Sequence, residues 1–212
     1  MVTAWSPSES SGDVSLVAKA RDGDRAAFGG LYARYARMVH GILLARVPVC
    51  DVEDLVQDVF LRALPRLPTL RNASRFGAWL ATIARNRAVD YHRQSKSASV
   101  NPDSLSAEEA NGPVSDGVQE REAAAILEVV RGLPETYRET LILRLVEGMT
   151  GPEIAARTGL TAGSVRVNLH RGMQQLREKL SRAAASDIRL GSSFKKGSAV
   201  EERRGLRKGN EL

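Results

Sequence analysis

The stretch EIAARTGLTAGSVRVNLHRGMQQLREKL, residues 153–180, decides the fold. Just before it, Pro152 suits the first turn of a short helix reaching about Thr158, where its missing N–H costs nothing. Ile154 and Ala155 are expected to face inward, Ala155 being small where two helices cross closely. Gly159 supplies the left-handed backbone position that ends such a helix. Leu160 packs back, and Thr161 caps a second, longer helix. Val165, Leu169, Met173 and Leu176 form its core stripe. This leaves Ser164, Arg166, Val167, Asn168, His170 and Arg171 on or beside the outer face. From Ala162 to Arg182 the positive side chains are Arg166, Arg171, Arg177, Lys179 and Arg182 against Glu178, five minus one, or +4. The plain alternative is a helical hairpin with a solvated basic face. The left-handed turn, the cap and the basic outer face together favour a helix-turn-helix that binds duplex DNA. Arginine can read guanine and asparagine can read adenine in the major groove. Ser164 and the free N–H groups near Thr161 can hold a phosphate.

The rest of the 212-residue chain is helical around this motif. Leu16 to about Arg46 follows steps of three and four through Phe28, Leu31, Tyr32, Tyr35, Val39 and Ile42, with Asp24 as N-cap. Val52, Leu55, Val56, Val59, Phe60, Ala63 and Leu64 make the cleanest amphipathic helix, capped by Asp51 and bounded by Pro65 and Pro68. A further helix is expected from about Ser74 to Gln94, with Phe76, Trp79, Leu80 and Ile83 as its buried side. Trp79 reads as core rather than as a stacking platform.

Composition then shifts. Residues 95–117, SKSASVNPDSLSAEEANGPVSDG, carry Asp103, Glu108, Glu109 and Asp116 against Lys96, with few large apolar residues. We read a flexible acidic linker. The sequence thus divides into a disordered N-terminus (1–13), a helical domain (14–94), the linker (95–119), a second helical domain (120–182) and a basic, disordered tail (183–212). No segment alternates with period two, so the expected class is all-α: two small helical domains joined by the linker.

The formal charge of +6 suits a polyanionic partner. Cys50 is the only cysteine, which excludes an internal disulfide and reads as a packing residue. No apolar run is long enough for a membrane helix and the start lacks a signal-peptide plan, so no membrane insertion and a cytoplasmic location are expected. His40, His92 and His170 are scattered, without triad or metal spacing, so neither an enzyme nor a metal or other cofactor is expected.

Two blocks carry a family resemblance. EDLVQDVFLRAL (53–64) with FGAWLATIARNRAVDYHR (76–93) resembles region 2 of bacterial sigma factors. The stretch from Leu133 to Leu180 resembles their region 4. Their order and the intervening linker resemble the extracytoplasmic-function class of the sigma-70 family, across about Leu16 to Leu180. The resemblance implies a subunit that binds core RNA polymerase and directs it to promoter DNA, held in check by an anti-sigma factor. It implies polymerase docking through Asp54, Leu55, Gln57, Asp58 and Phe60. It implies opening and reading of the minus-ten element by Arg75, Arg85, Asn86, Asp90 and Arg93. The minus-thirty-five element would be read by Thr161, Ser164, Arg166, Asn168, His170 and Arg171. Asn86, Asp90 and Arg93 lie at i, i+4 and i+7, a polar stripe expected opposite Trp79 and Ile83.

Asp51, Glu53, Asp54 and Asp58 give the docking helix an acidic face, which suits a basic partner surface. A solvated acidic face is the alternative. A metal site between Asp54 and Asp58 would need further ligands that the sequence does not offer. The linker is either an RNA-like acidic segment or a plain tether. The sequence departs from the family pattern at Val167-Asn168 and at Gly151-Pro152, which bears on base preference and helix entry. The competing function is a helix-turn-helix regulator whose N-terminal domain senses a signal or dimerises.

Overall fold

A computed structural model describes residues 8–98 and 118–182, and every regular element among them is a helix. The expectations for residues 1–7, for the stretch 99–117 and for the tail from 183 lie outside the described residues. In order, the α-helices are α1 (Ser8–Arg21), α2 (Arg25–Leu44), α3 (Val52–Ala63), α4 (Phe76–Ala98), α5 (Val118–Arg131), α6 (Glu135–Leu145), α7 (Gly151–Thr158) and α8 (residues 162–182).

Asp24 starts α2 as expected, accepting hydrogen bonds from the backbone N–H groups of Ala26 at 2.8 Å and Ala27 at 3.0 Å. Leu31, Tyr35, Met38, Val39 and Ile42 then bury one continuous stripe. Phe60 of α3 inserts against Phe28 and Tyr32, with ring centroids 6.2 and 4.6 Å away. Phe76 of α4 is fully buried and meets Tyr35 edge-on at 5.1 Å. Trp79 is half-buried beside Phe76, in keeping with core packing.

Three local expectations change. Helix α1 already includes residues assigned to a disordered start. Its Asp13 carboxylate accepts from Arg34 and from the Tyr35 hydroxyl, both at 2.6 Å, which ties the Ser-rich segment to α2. Helix α4 continues past Gln94 to Ala98, because Ser-Lys-Ser-Ala contains no breaker before Pro102. Asp51 stands at the start of α3 but makes no capping bond. A 3₁₀ turn (Val49–Asp51) precedes the helix, and the carboxylate instead accepts from the Tyr91 hydroxyl at 2.7 Å. Cys50 lies exposed in that turn rather than packed.

The helices on the two sides of the 99–117 stretch do not stand apart: contacts gather residues up to Gly172 into one unit and those from Met173 into another. Within the first unit the approach is close because glycines remove side chains. A Cβ on Gly77 of α4 would lie 2.7 Å from the Arg157 carbonyl oxygen of α7 and 2.8 Å from the Tyr35 ring. Gly159, at φ 78°, ends α7 in the left-handed conformation, and its Cα faces Ala78. The carbonyls left unpaired at the C-terminal end of α2 are satisfied from the second half of the chain. Arg131 donates to Leu44 and Val47, and Arg138 donates to Ala45.

Candidate nucleic-acid interface

The helix-turn-helix forms as the sequence implied, with a stronger entry. Thr150 accepts from the Glu153 backbone N–H, and the Glu153 carboxylate accepts from the Thr150 N–H at 2.7 Å, a reciprocal capping box. Gly151 and Pro152 lie inside that box, where proline's missing N–H is harmless, so this departure leaves helix entry intact. The box is visible in the sequence as T-x-x-E at 150–153, with Gly151 and Pro152 between its two members. Thr161 opens α8 by accepting from the Ser164 N–H at 3.0 Å, and the two hydroxyls lie 2.8 Å apart.

Arg166, His170 and Arg171 are exposed on α8. Asn168 is a correction: it is only 8% exposed and faces inward. With Val165 and Gly172 it falls at i, i+3 and i+7, so these three share one helix face. Gly172 lets α8 cross α6 closely, since a Cβ there would meet Leu141 at 2.9 Å. Leu169, expected in the core, is half-buried. Polarity misassigned the face, because a glycine supplies no apolar signal for the stripe it lies on. Asn168 borders a 230 Å³ cavity with Arg46, Arg85, Glu135, Glu139 and Leu160.

The expected minus-ten set separates into three places. Asn86, Asp90 and Arg93 meet at a second cavity of 310 Å³ between α3 and α4. Arg62, Arg66 and Arg87 complete its basic wall, and Ile83 and Val89 supply apolar surface. Ile83 therefore shares the polar stripe's face rather than opposing it: Ile83, Asn86 and Asp90 follow helical steps of three and four. Arg85 points elsewhere, donating to Glu139 of α6 at 2.7 and 3.1 Å. Arg75 is exposed in a 3₁₀ turn (Ala73–Arg75), outside the cavity lining. The cavity arginines contributed by α3 and the turn after it were missed. Arg62 stands at i+4 from Asp58, which reads as an ordinary helix pair until α4 brings Arg87 to the same carboxylate.

Helix α3 also needs revision as a docking surface. Leu55 and Phe60 are 4% and 3% exposed, hence core residues. Asp54 and Gln57 are exposed, and with them Leu61 and Leu64, 69% and 45% exposed; of the two, Leu64 is the one expected in the apolar stripe. Asp54, Gln57, Leu61 and Leu64 follow one another by three or four residues and make one open face. Asp58 is engaged by both Arg62 and Arg87.

Between α2 and α6 lies an ion-pair system. Glu139 is 7% exposed and accepts from Arg46 at 2.7 Å and from Arg85 at 2.7 Å. Burial opposes its ionisation, but hydrogen bonds from Arg85 and the charge of Arg46 prevail and hold the carboxyl below its ordinary range. His40 Nδ1 lies 2.6 Å from Glu147, with Glu53 at 3.6 Å from its other nitrogen. The hydrogen bond to Glu147 raises the His40 pKa above 6.5, against the opposing effect of burial. A raised histidine pKa stabilises the folded unit fully below the unfolded value, and that contribution disappears as pH rises through the folded one. The melting temperature is therefore expected to fall as pH is raised from below 6.5 through the elevated value, and this component should vanish in His40→Gln. Parallel Tm-against-pH curves for the two proteins would contradict it.

Two family descriptions match: "Sigma-70 region 2" over residues 31–98 and "Sigma-70, region 4" over residues 123–176. The chain is 34% identical to the ECF RNA polymerase sigma factor BldN of Streptomyces coelicolor, over 80% of this chain and 66% of that protein. It is 31% identical to the ECF RNA polymerase sigma-E factor of Escherichia coli, over 82% of this chain and 96% of that protein. Among solved structures, CnrH in complex with the cytosolic domain of CnrY is similar at 28% identity and a TM-score of 0.56, over 80% of this chain and 97% of that one. Both region matches in sequence order do not favour a regulator with an unrelated N-terminal domain.

Proposed function

This chain belongs to the sigma-70 family, in its extracytoplasmic-function class, and on that premise we propose how its surfaces divide the work of a sigma factor. The open face of α3, with Asp54, Gln57, Leu61 and Leu64, docks core RNA polymerase. The cavity between α3 and α4 captures the non-template strand of the minus-ten element. The exposed face of α8, with Arg166, His170 and Arg171, reads the minus-thirty-five duplex, and Thr161 and Ser164 hold a phosphate at the start of that helix. The protein acts in the cytoplasm without catalytic chemistry of its own. No described helix is long and apolar enough to cross a membrane.

The single observation that carries the reading is the pairing of two different nucleic-acid surfaces in one chain. One is an exposed basic recognition helix, the form suited to a major groove. The other is a cavity with four arginines, an asparagine and an aliphatic wall, the form suited to an unstacked base and its phosphates. A strand opened from the duplex costs a few kcal/mol of unstacking, which such a cavity can offset. A protein partner that releases the factor on signal is supported by the likeness to CnrH, which was solved bound to another protein. The reading is tested by adding the purified chain to sigma-free core polymerase on promoters mapped after its overexpression. Absence of promoter-specific initiation would refute it.

With Asn168 turned inward, base preference at the minus-thirty-five element falls to Arg166, His170 and Arg171, and exposed Val167 can meet a thymine methyl. Arg166→Ala is expected to cost about 1–3 kcal/mol of promoter discrimination, whereas Asn168→Ala should leave it nearly unchanged. Binding to a panel of singly substituted promoter duplexes measures both.

A further inference from the structure

Asp58 is the residue whose surroundings least fit a docking helix. Its Oδ1 accepts from Arg62 Nε at 3.1 Å, and its Oδ2 accepts from Arg87 Nε at still closer range. Both arginines line the cavity of Asn86 and Asp90. Arg62 continues to Asp90 at 3.5 Å. Arg87 is 12% exposed, and its Nη1 is buried without a hydrogen-bond partner. An unsatisfied guanidinium nitrogen beside a cavity calls for an acceptor that the folded chain itself does not supply. Asp58 takes the Nε of each arginine, which leaves their terminal nitrogens to other acceptors; one of these, Arg62 Nη1, meets Asp90 within the cavity lining.

We infer that Asp58 is a positioning residue of the strand-binding cavity: it holds Arg62 and Arg87 with their terminal nitrogens toward the phosphate and base oxygens of a bound single strand. The inference rests on the strand-capture reading above and deepens it. It moves Asp58 from the polymerase-docking set to the DNA side. It also gives α3 two adjacent tasks, Leu61 and Asp54 outward and Asp58 toward α4. Without Asp58 the two arginines would lose their common anchor: Arg62 would keep only Asp90, and Arg87 would have to be ordered by the strand itself. That ordering costs side-chain entropy at the moment of binding.

The test uses holoenzyme reconstituted from core polymerase and the full chain. The probe is a fluorescent 12-nucleotide single strand copied from the non-template minus-ten region of a mapped promoter. Asp58→Asn is expected to weaken probe binding about tenfold and to flatten its salt dependence, by about 0.7 in the log–log slope for each phosphate no longer neutralised, while affinity for core polymerase is unchanged. Asp58→Glu should restore most of the probe affinity, because it keeps a carboxylate within reach of both arginines. Should Asp58→Asn fold poorly by its thermal unfolding curve, Arg87→Gln reads the same interaction from the other side and should weaken the probe with the same fall in slope. Loss of core affinity with unchanged probe binding would overturn the inference and return Asp58 to the docking surface. Unchanged probe binding in Asp58→Asn, with losses in Asn86→Ala and Arg66→Ala, would overturn the inference alone. Unchanged binding in all of these would overturn the strand-capture reading with it.

Discussion

Glu139→Gln is expected to lower the stability of the packed unit by about 2–3 kcal/mol, the low end for removing one partner of a buried ion pair, because Arg85 retains some solvent. Arg46 and Arg85 both donate to this carboxylate, and their side chains are 10% and 30% exposed. Neutralising Glu139 leaves two guanidinium groups facing each other across a neutral amide. Urea unfolding of the full chain measures the loss; an unchanged midpoint would contradict it. The wild-type contribution also has a pH signature. A carboxyl held below its unfolded value of 4.5 stabilises fully above that value and ceases to do so as pH falls through the folded one. Acid sensitivity below pH 4.5 should therefore be weaker in the glutamine variant.

The same substitution probes function, because the ion pair joins α6 to helices on the other side of the 99–117 stretch. Elements centred at minus ten and minus thirty-five are about 25 base pairs apart, or roughly 80 Å of duplex. The strand cavity and α8 up to Gly172 belong to a single packed unit, where Gly77 and the Arg157 carbonyl meet at close range. Glu139→Gln weakens the packing without touching either DNA surface. It is expected to lose stability while keeping full promoter-specific initiation. A parallel loss of initiation would mean that the packed arrangement is itself the one used on the promoter.

What the sequence made legible follows from which signals are local. The all-α class, the helix-turn-helix and the caps at Asp24 and Thr161 depend on residues within one or two turns, and all were readable. Faces were readable only where apolar residues outline them. Asn168 shares its face with Gly172, and a glycine leaves no hydrophobic mark, so the stripe was drawn one residue away. Leu64 shows the opposite error of residue type: it is apolar and expected in the stripe, yet it is exposed like its neighbour Leu61, so polarity alone does not separate surface from core here. Arg85 joins Asn86 in the expected set through its charge and the family resemblance, yet successive helical residues point about 100° apart, and Arg85 faces Glu139 instead. The association of Asp58 with Arg87 spans 29 positions and exists only once α3 and α4 pack. Pairings of that kind have no signature in a single sequence.

Leu61→Asp should weaken binding to core polymerase by about 2 kcal/mol or more, roughly 30-fold, if α3 docks through its open face, since an exposed aliphatic at the centre of an interface is where binding energy concentrates. At 69% exposure Leu61 contributes little to the folded unit, so unfolding should be nearly unaffected, within about 0.5 kcal/mol. Phe60→Ala makes the contrast. Its ring is 3% exposed between Phe28 and Tyr32, and its removal is expected to cost about 3–5 kcal/mol of stability. Any fall in polymerase affinity in that variant reports a damaged core rather than an altered docking face. Val14→Asp, at a residue 40% exposed on α1 and away from α3, is the control for adding an acid to an exposed aliphatic position. Titration of labelled core polymerase with the three variants separates the cases. Leu61→Asp must lose affinity with its unfolding curve unmoved, and Val14→Asp must keep both. Equal affinities for Leu61→Asp and wild type would move the docking surface off α3, leaving Asp54 and Gln57 as solvated charge and amide on a helix whose task is to support the strand cavity.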